Sequence, residues 1–318
     1  MSNLQPNITF SCIIPASAKD AESQNLKDLI ASIKAQDFPQ DQIEILVITE
    51  GDSEQAKAIG IKRAKGEICA MFCADNVLTN PNTFKNVKVR FDLYDGVCGV
   101  YSNKYAHIKE DNSLNRYFSL IGGNDPICYY LGKNDREPHV ESLKIRSSYQ
   151  PSYGCNGFFF RSDLIKRTDL DNYYPMDNAG ECLRLEKKGR YLFLPDSMAT
   201  WHKTSDNLIS FLKKRYRYAR DLYCERRNRR WKIIDTREDK WRLFLFVLFT
   251  LTAIQPLSVS LRGYLKIRDW AWWLHWPVCL GFLFTYGLLT LRNLLKHGRP
   301  FQCRQSPSLS RPLAEATR

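Results

Sequence analysis

The chain has no Cys-x-x-Cys pair and no cysteine or histidine spacing of a metal site, which excludes a zinc ribbon and a thiol-disulfide motif. Its ten cysteines scatter, Cys69 and Cys73 on one apolar stretch and Cys279 on another, as expected of reduced thiols in a reducing compartment. No apolar leader opens the sequence, so export is not expected. No internal repeat and no low-complexity run occur, which excludes a solenoid or a linker-rich chain. Acid is scarce: 34 Asp and Glu stand against 47 Lys and Arg, a net charge of +13. The basic excess gathers between Lys213 and Arg242, where Arg226-Arg227-Asn228-Arg229-Arg230-Trp231-Lys232 is the densest run. Such a run can bind nucleic acid. Here it adjoins long uncharged segments, so the expected partner is an anionic membrane surface, with no nucleic acid.

What is present begins with alternation. Ile8-Thr9-Phe10-Ser11-Cys12-Ile13-Ile14-Pro15 is an apolar run stopped by proline, as in a central strand. Leu26, Leu29, Ile30 and Ile33 then follow at helical spacing and put one apolar stripe on a packed helix. Ile43 to Ile48 reads as a second strand, and Asp52 with Gln55 as a capping box that opens a helix running to about Lys65. Ile68 to Phe72 is the third strand, ending toward Asp75. This β-α-β-α-β order predicts a parallel α/β sheet with crossover helices. Ligands of such sheets bind at the carboxyl ends of strands, where Asp75 falls.

These segments resemble the family 2 glycosyltransferases. The resemblance rests on Ile13-Ile14-Pro15, on Gln36-Asp37-Phe38-Pro39, on Thr49-Glu50-Gly51-Asp52, on Gly60 and the Lys65-Gly66-Glu67 turn, and on Cys73-Ala74-Asp75 at the family's Asp-x-Asp position. It implies a GT-A-like nucleotide-sugar-binding domain with a mostly parallel sheet, and puts Pro15, Glu50, Asp52, Lys57 and Asp75 on the donor side. Glu50 would hydrogen-bond the base. Asp75 would help hold a divalent metal, Mg2+ or Mn2+, which neutralises the departing diphosphate. Cys73 replaces the first acid of the motif and reads as a small buried hydrophobe.

The stretch from about Tyr94 to Tyr153 carries turn signals but names no sugar. The resemblance resumes at Tyr153-Gly154-Cys155-Asn156-Gly157, where Gly154 and Asn156 fall on the acceptor side, and at Asp177-Asn178, which align with the family's Glu-Asp pair. The second acid of that pair is the usual general base, and an amide at Asn178 cannot accept a proton. Asp177 and Glu181, one helical turn apart, are the candidates to take over. Trp201-His202-Lys203 makes His202 the second candidate for the metal. Lys214-Arg215-Tyr216-Arg217-Tyr218 stands where processive relatives carry Gln-x-x-Arg-Trp; Arg217 and Tyr218 match, and Lys214 argues against a processive synthase.

Leu243 to Leu261 and Trp270 to Leu291 contain no charged residue, and each is long enough for a bilayer-spanning helix of about 20 residues. Gln255, Pro256, His275 and Pro277 weaken that reading, and a re-entrant or interfacial arrangement is its alternative. Basic flanks before Leu243 and at Arg292, Lys296 and Arg299 put both ends in the cytoplasm, while Arg262, Lys266 and Arg268 between the segments oppose it.

The expected organisation is a glycosyltransferase domain over 1–205, a basic juxtamembrane segment over 206–242, a pair of transmembrane helices within 243–291 and a basic cytoplasmic tail over 292–318. The expected protein is a multi-pass enzyme of the cell membrane with its catalytic domain on the cytoplasmic face. It would move a sugar from a nucleotide donor, a UDP-sugar foremost, to a lipid-linked or surface-glycan acceptor. The alternatives are a polyprenyl-phosphate glycosyltransferase, whose acceptor needs no general base, and a nucleotide-sugar-binding relative without transfer activity in a membrane assembly.

Overall fold

The computed structural model describes residues 7–17, 20–102, 104–132, 157–186, 188–221 and 239–297. They form two compact units that interleave along the chain, the first built from residues up to Ala106 and again up to Lys203, the second from His107 onward and from Thr204 onward.

The first unit is a six-stranded sheet in the order β2-β1-β3-β6-β5-β7. Its strands are β1 (Phe10–Pro15), β2 (Ile43–Ile48), β3 (Ile68–Met71), β5 (Val97–Tyr101), β6 (Phe158–Arg161) and β7 (Arg190–Phe193). β6 runs antiparallel to both neighbours and the other pairings are parallel. The expectation of a mostly parallel sheet therefore holds, with β6 inserted against the grain. A two-stranded antiparallel ribbon of β4 (Asn76–Leu78) and β8 (Thr200–His202) stands beside it.

Side-chain alternation divides the first core into two layers. Phe10, Cys12, Ile14, Ala70, Phe72 and Phe159 face α1 (Gln24–Lys34) and α3 (Thr83–Leu93). Ile13, Cys69, Met71, Phe158 and Phe160 face α2 (Ser53–Arg63), α6 (Ser162–Ile165) and α7 (Ala179–Leu185). Val97 and Val100 both lie in the first layer although they are three positions apart, an odd spacing that strict alternation would put on opposite faces. A register shift between Val97 and Gly99 explains this, because one extra residue reverses the facing of everything after it.

Local chemistry accounts for the elements around the carboxyl end of β2. Asp52 caps α2, accepting from the N–H groups of Glu54 and Gln55, while Gln55 returns a bond to the Asp52 N–H: the predicted capping box. Gly60 lets α2 settle on β1, since a Cβ there would lie 2.3 Å from Ile13 Cγ2. Gln36 is buried and structural: its amide donates to Ser32 O and Asn80 O and accepts from Phe84 N–H, joining α1 to α3. The Gln-aromatic-Pro element thus works as a brace.

The second unit holds α4 (Ser113–Ile121), α5 (Pro126–Tyr130), α8 (Leu208–Asp221), α9 (Lys240–Leu251), α10 (Ile254–Lys266), a 3-10 turn (Trp270–Leu274) and α11 (His275–His297). Polar groups tie these helices together. Asp269 binds Arg116 at 3.0 Å and His107 at 3.2 Å and caps the Ala271 N–H. Arg215 of α8 donates to Asp125 at 2.7 Å, and Tyr286 of α11 shares the same carboxylate oxygen.

The expected pair of transmembrane helices is corrected at its first member. Leu243 to Leu261 is not one helix: α9 and α10 meet at Thr252–Ala253 with an 80° bend, Ala253 adopting φ 60. Pro256 supplies the reason, because its ring would collide with the carbonyl of residue 252 in a continuous helix, whereas in the first turn of a new helix its missing N–H is harmless. The second member persists as a continuous apolar stretch, Trp270–Lys296, long and apolar enough to cross a membrane.

Candidate active site

Because β1, β2, β3, β5 and β7 share one direction, their carboxyl ends lie along one edge of the sheet, together with the amino end of β6. Pro15 ends β1 opposite Ile48 of β2, and the Ala16 N–H donates to Ile48 O. Glu50 and Asp52 follow β2 at once. β3 ends at Met71, so Asp75 does not cap the strand directly, as the sequence suggested, but closes the turn into β4. The Phe72 N–H still bonds Ile13 O, and the Asn76 side chain then accepts from the Cys73 N–H, turning the chain. Gly157, at φ +82 before β6, completes this edge: a Cβ there would press on the Phe72 ring at 3.1 Å and on Thr200 Oγ1 at 3.3 Å.

The ribbon delivers the central contact. Asn76 pairs in register with His202, and the Lys203 N–H donates to Asp75 O. His202 Nε2 consequently lies 3.1 Å from Asp75 Oδ1. His202 is buried beneath the edge of the Tyr105 ring, while the Asp75 side chain keeps partial exposure. Beside them Lys203 packs over the Trp201 ring and pairs with Asp28 of α1 at 2.5 Å. Lys203 holds the Asp28 carboxyl below its usual range, with Gln24 adding a second hydrogen bond.

The donor-set chemistry can be tested against a metal. Ligand bonds of about 2.1 Å at right angles separate neighbouring ligand atoms by about 3.0 Å, close to the 3.1 Å between His202 Nε2 and Asp75 Oδ1. The same distance is that of an Nε2–H···O hydrogen bond, so this carboxylate and imidazole could take two adjacent positions on a divalent cation only with Nε2 as the unprotonated ring nitrogen. Among the described residues no group of three His, Cys, Asp or Glu converges, so the remaining positions would fall to phosphate and water oxygens.

The other residues that the family resemblance puts on the donor side are engaged within the fold. Glu50 binds Arg63 through both oxygens, at 2.8 and 2.9 Å, and this pairing lowers its carboxyl pKa. Its oxygens retain lone pairs for a base N–H, but any such role is shared with the guanidinium. Lys57 pairs with Glu54 at 2.6 Å on α2. Cys73 is half-buried. Cys69 and Cys98 are buried thiols, and that burial pushes their pKa values up to about 11 and about 12; both are poor nucleophiles at neutral pH.

Asp177 and Asn178 end a 3-10 turn (Pro175–Asn178) and Glu181 lies in the first turn of α7. Asp177 is 2% exposed and Asn178 fully buried. The Asn178 amide donates to Asp169 O at 3.1 Å, a bond that a carboxylate could not make, which gives the amide a structural reason. Glu181 pairs with Arg184. The structure thus brings Asp75 and His202 together and sets Asp177, Asn178 and Glu181 on either side of the junction between the 3-10 turn and α7. Arg217 and Tyr218 lie on α8 of the second unit. Gly154 and Asn156 lie outside the described residues. Sequence reasoning missed Asp28, Lys203 and Tyr105 as site neighbours. Lys203 adjoins His202 in the chain, but nothing in the sequence signals that Asp28 anchors it.

No protein-family model matches the chain, and no curated protein matches it. Among solved structures, the chain is similar to the mannosyltransferase PcManGT from Pyrobaculum calidifontis in complex with GDP-Man and Mn2+, at 16% identity and a TM-score of 0.45, over 92% of this chain and 81% of that one. It is also similar to S. aureus TarS 1-349 in complex with UDP-GlcNAc, at 15% identity and a TM-score of 0.39, over 91% of this chain and 86% of that one.

Proposed function

We propose that the protein is a membrane-held inverting glycosyltransferase of the family 2 type, which transfers a sugar from a nucleotide donor, a UDP-sugar foremost, to a hydroxyl of a lipid-linked or surface glycan. The observation that carries this reading is the pairing of Asp75 with His202 at the carboxyl edge of the sheet, beside Glu50 and Asp52 at the end of β2.

In this reading Glu50 and Asp52 border the nucleoside, and Asp75 with His202 faces the diphosphate. A divalent cation, Mg2+ or Mn2+, bound there would neutralise the charge that develops on the leaving group. Lys203 adds a fixed positive charge next to the pair, and Asp28 keeps it from swinging away. The Tyr105 ring against buried His202 shields the Asp75–His202 contact from water and strengthens it. On the acceptor side, Asp177 or Glu181 would take the hydroxyl proton, because the Asn178 amide cannot.

A second reading is favoured by the burial of Asp177 and Asn178. An acceptor that is already ionised, such as a polyprenyl phosphate, needs no base, so acids held inside the fold would not hinder it. Membrane attachment suits both readings, because an acceptor confined to the bilayer meets a confined enzyme more often.

The test is incubation of membranes carrying the full chain with a panel of radiolabelled nucleotide sugars and lipid acceptors. Transfer to a glycan hydroxyl supports the first reading, and a single-sugar lipid phosphate supports the second. Binding of UDP-sugar without turnover on any acceptor would instead favour a non-catalytic binding protein, and absence of binding would overturn the nucleotide-sugar assignment.

A further inference from the structure

The second unit carries an apolar surface that its own packing does not consume. Along α9 the exposed residues Trp241, Phe244, Leu248 and Leu251 recur at helical spacing; along α10 the same holds for Ile254, Leu257, Leu261 and Leu265. Along α11 it holds for Phe284, Leu288, Leu291 and Leu295, and across the three stripes exposure runs from 41% to 79%. α9, α10 and α11 pack on one another, and each keeps an outward stripe of large apolar side chains, a gathering that points to an apolar partner.

Helix lengths and charges decide how a bilayer could cover it. α9 has 12 residues and α10 has 13, so at 1.5 Å per residue they reach about 18 and 20 Å, short of the roughly 30 Å hydrocarbon thickness. With the 80° bend between them, a symmetric dip would carry the Leu251–Ile254 apex about 12 Å deep, inside one leaflet of about 15 Å. The far ends are basic: Lys240 and Arg242 open α9, and Arg262, Lys266 and Arg268 stand on the last turns of α10 and beyond, all exposed. A dip puts all five on one face, where they meet anionic headgroups. It removes the conflict with the positive-inside rule that a crossing at Leu243–Leu261 creates.

The inner side of α11 opposes a crossing there as well. His275 bonds the buried Tyr117 hydroxyl at 2.7 Å, and Tyr286 shares the Asp125 carboxylate with Arg215. Taking α11 through a bilayer would carry this ion pair into hydrocarbon, at a cost of several kcal/mol per ion for the charges alone.

We propose that α9, α10 and the outer stripe of α11 seat the second unit on one leaflet of an anionic phospholipid bilayer, the α9–α10 apex dipping into the acyl region and no helix crossing. This rests on the membrane-held reading of the proposed function and specifies its form. The partner is the cytoplasmic leaflet itself, and the acceptor would be reached from that face.

Three variants of the full chain, each adding one cysteine to the ten native ones, test it: Leu251→Cys at the apex, Lys266→Cys at the end of α10 and Lys296→Cys at the end of α11. Each is treated with a membrane-impermeant maleimide in sealed inverted and right-side-out vesicles, and the label is located by peptide mass spectrometry. The expected result is labelling of residues 266 and 296 in inverted vesicles only, and of residue 251 only after detergent. Labelling of 266 or of 296 from the opposite face would mean a crossing and overturn the one-leaflet arrangement while leaving membrane attachment intact. Labelling of 251 without detergent would overturn the dip. Flotation of the purified chain with phosphatidylcholine vesicles should rise several-fold when phosphatidylglycerol is included, and equal flotation would overturn the anionic preference. Release of the wild-type chain from membranes by high salt alone would overturn the membrane-held reading itself.

Discussion

The acids at the carboxyl end of the sheet and the acids around the start of α7 are held differently. Asp75 is partly exposed and faces a histidine from a neighbouring ribbon, so it can exchange that partner for a ligand. Asp177 is buried, Asn178 is buried and bonded to Asp169 O, and Glu181 is paired to Arg184. Asp75 and Glu181 are each partly exposed and ion-paired, while Asp177 is covered. The difference teaches that Asp75 and Glu181 can each exchange a partner for a ligand as they stand, whereas Asp177 could act on a ligand only after the turn around it opens.

The largest effect that could break this contrast is on turnover. If an acid near α7 serves as base, Asp177→Asn or Glu181→Gln lowers kcat by about 10²- to 10⁴-fold with donor affinity unchanged, as measured at saturating donor. If the acceptor is a lipid phosphate, both variants retain near-full turnover, and the contrast becomes one between a working site and a structural turn. Next in size is Asn178→Asp. It replaces a buried N–H donor by a second acceptor facing Asp169 O, so we expect a loss of about 1–3 kcal/mol in denaturant midpoint measurements. Unchanged stability would mean that this turn is less closed than its burial implies.

On the donor side, Asp52→Ala removes both bonds of the α2 cap and should lower stability by about 0.5–2 kcal/mol in thermal unfolding. It should also weaken nucleotide binding if the turn borders the base. A loss of stability with full affinity would assign Asp52 to the fold alone. The smallest effect is on the pH dependence of stability. Asp28 titrates below its ordinary 3.8 because Lys203 and Gln24 bond the carboxylate. The stabilisation is therefore fully present above 3.8 and is lost as pH falls through the lowered folded value. Asp28→Asn should flatten this part of the Tm-against-pH profile by lowering Tm slightly at neutral pH, where the wild type holds the charged pair, and leaving it unchanged in strong acid; the half-buried, partly screened pair makes the effect small.

Much of the first unit was legible because its signals are local. The β2 boundaries, the Asp52–Gln55 capping box and the Leu26-Leu29-Ile33 stripe depend on residues within a few positions of one another, and all stand as read. What the sequence could not disclose is set by long-range pairing. The antiparallel insertion of β6 places residues 158–161 between strands that precede them in the chain. The Asp28–Lys203 pair joins residues 175 positions apart. The bend at Thr252–Ala253 lies between these cases: Pro256 was visible, but an apolar run of this length also suits a span, and only the backbone geometry decides that a new helix starts there. At Asn178 the amide itself was visible, while the Asp169 carbonyl that rewards it was not.

The most direct measurement of the central claim is calorimetric titration of the full chain with UDP in the presence and absence of Mn2+, for wild type, Asp75→Ala and His202→Ala. The account predicts that Mn2+ tightens UDP binding to the wild type, that Asp75→Ala abolishes this metal-supported gain with the fold intact by circular dichroism, and that His202→Ala reduces it. Undiminished Mn2+-dependent UDP binding by folded Asp75→Ala would contradict it.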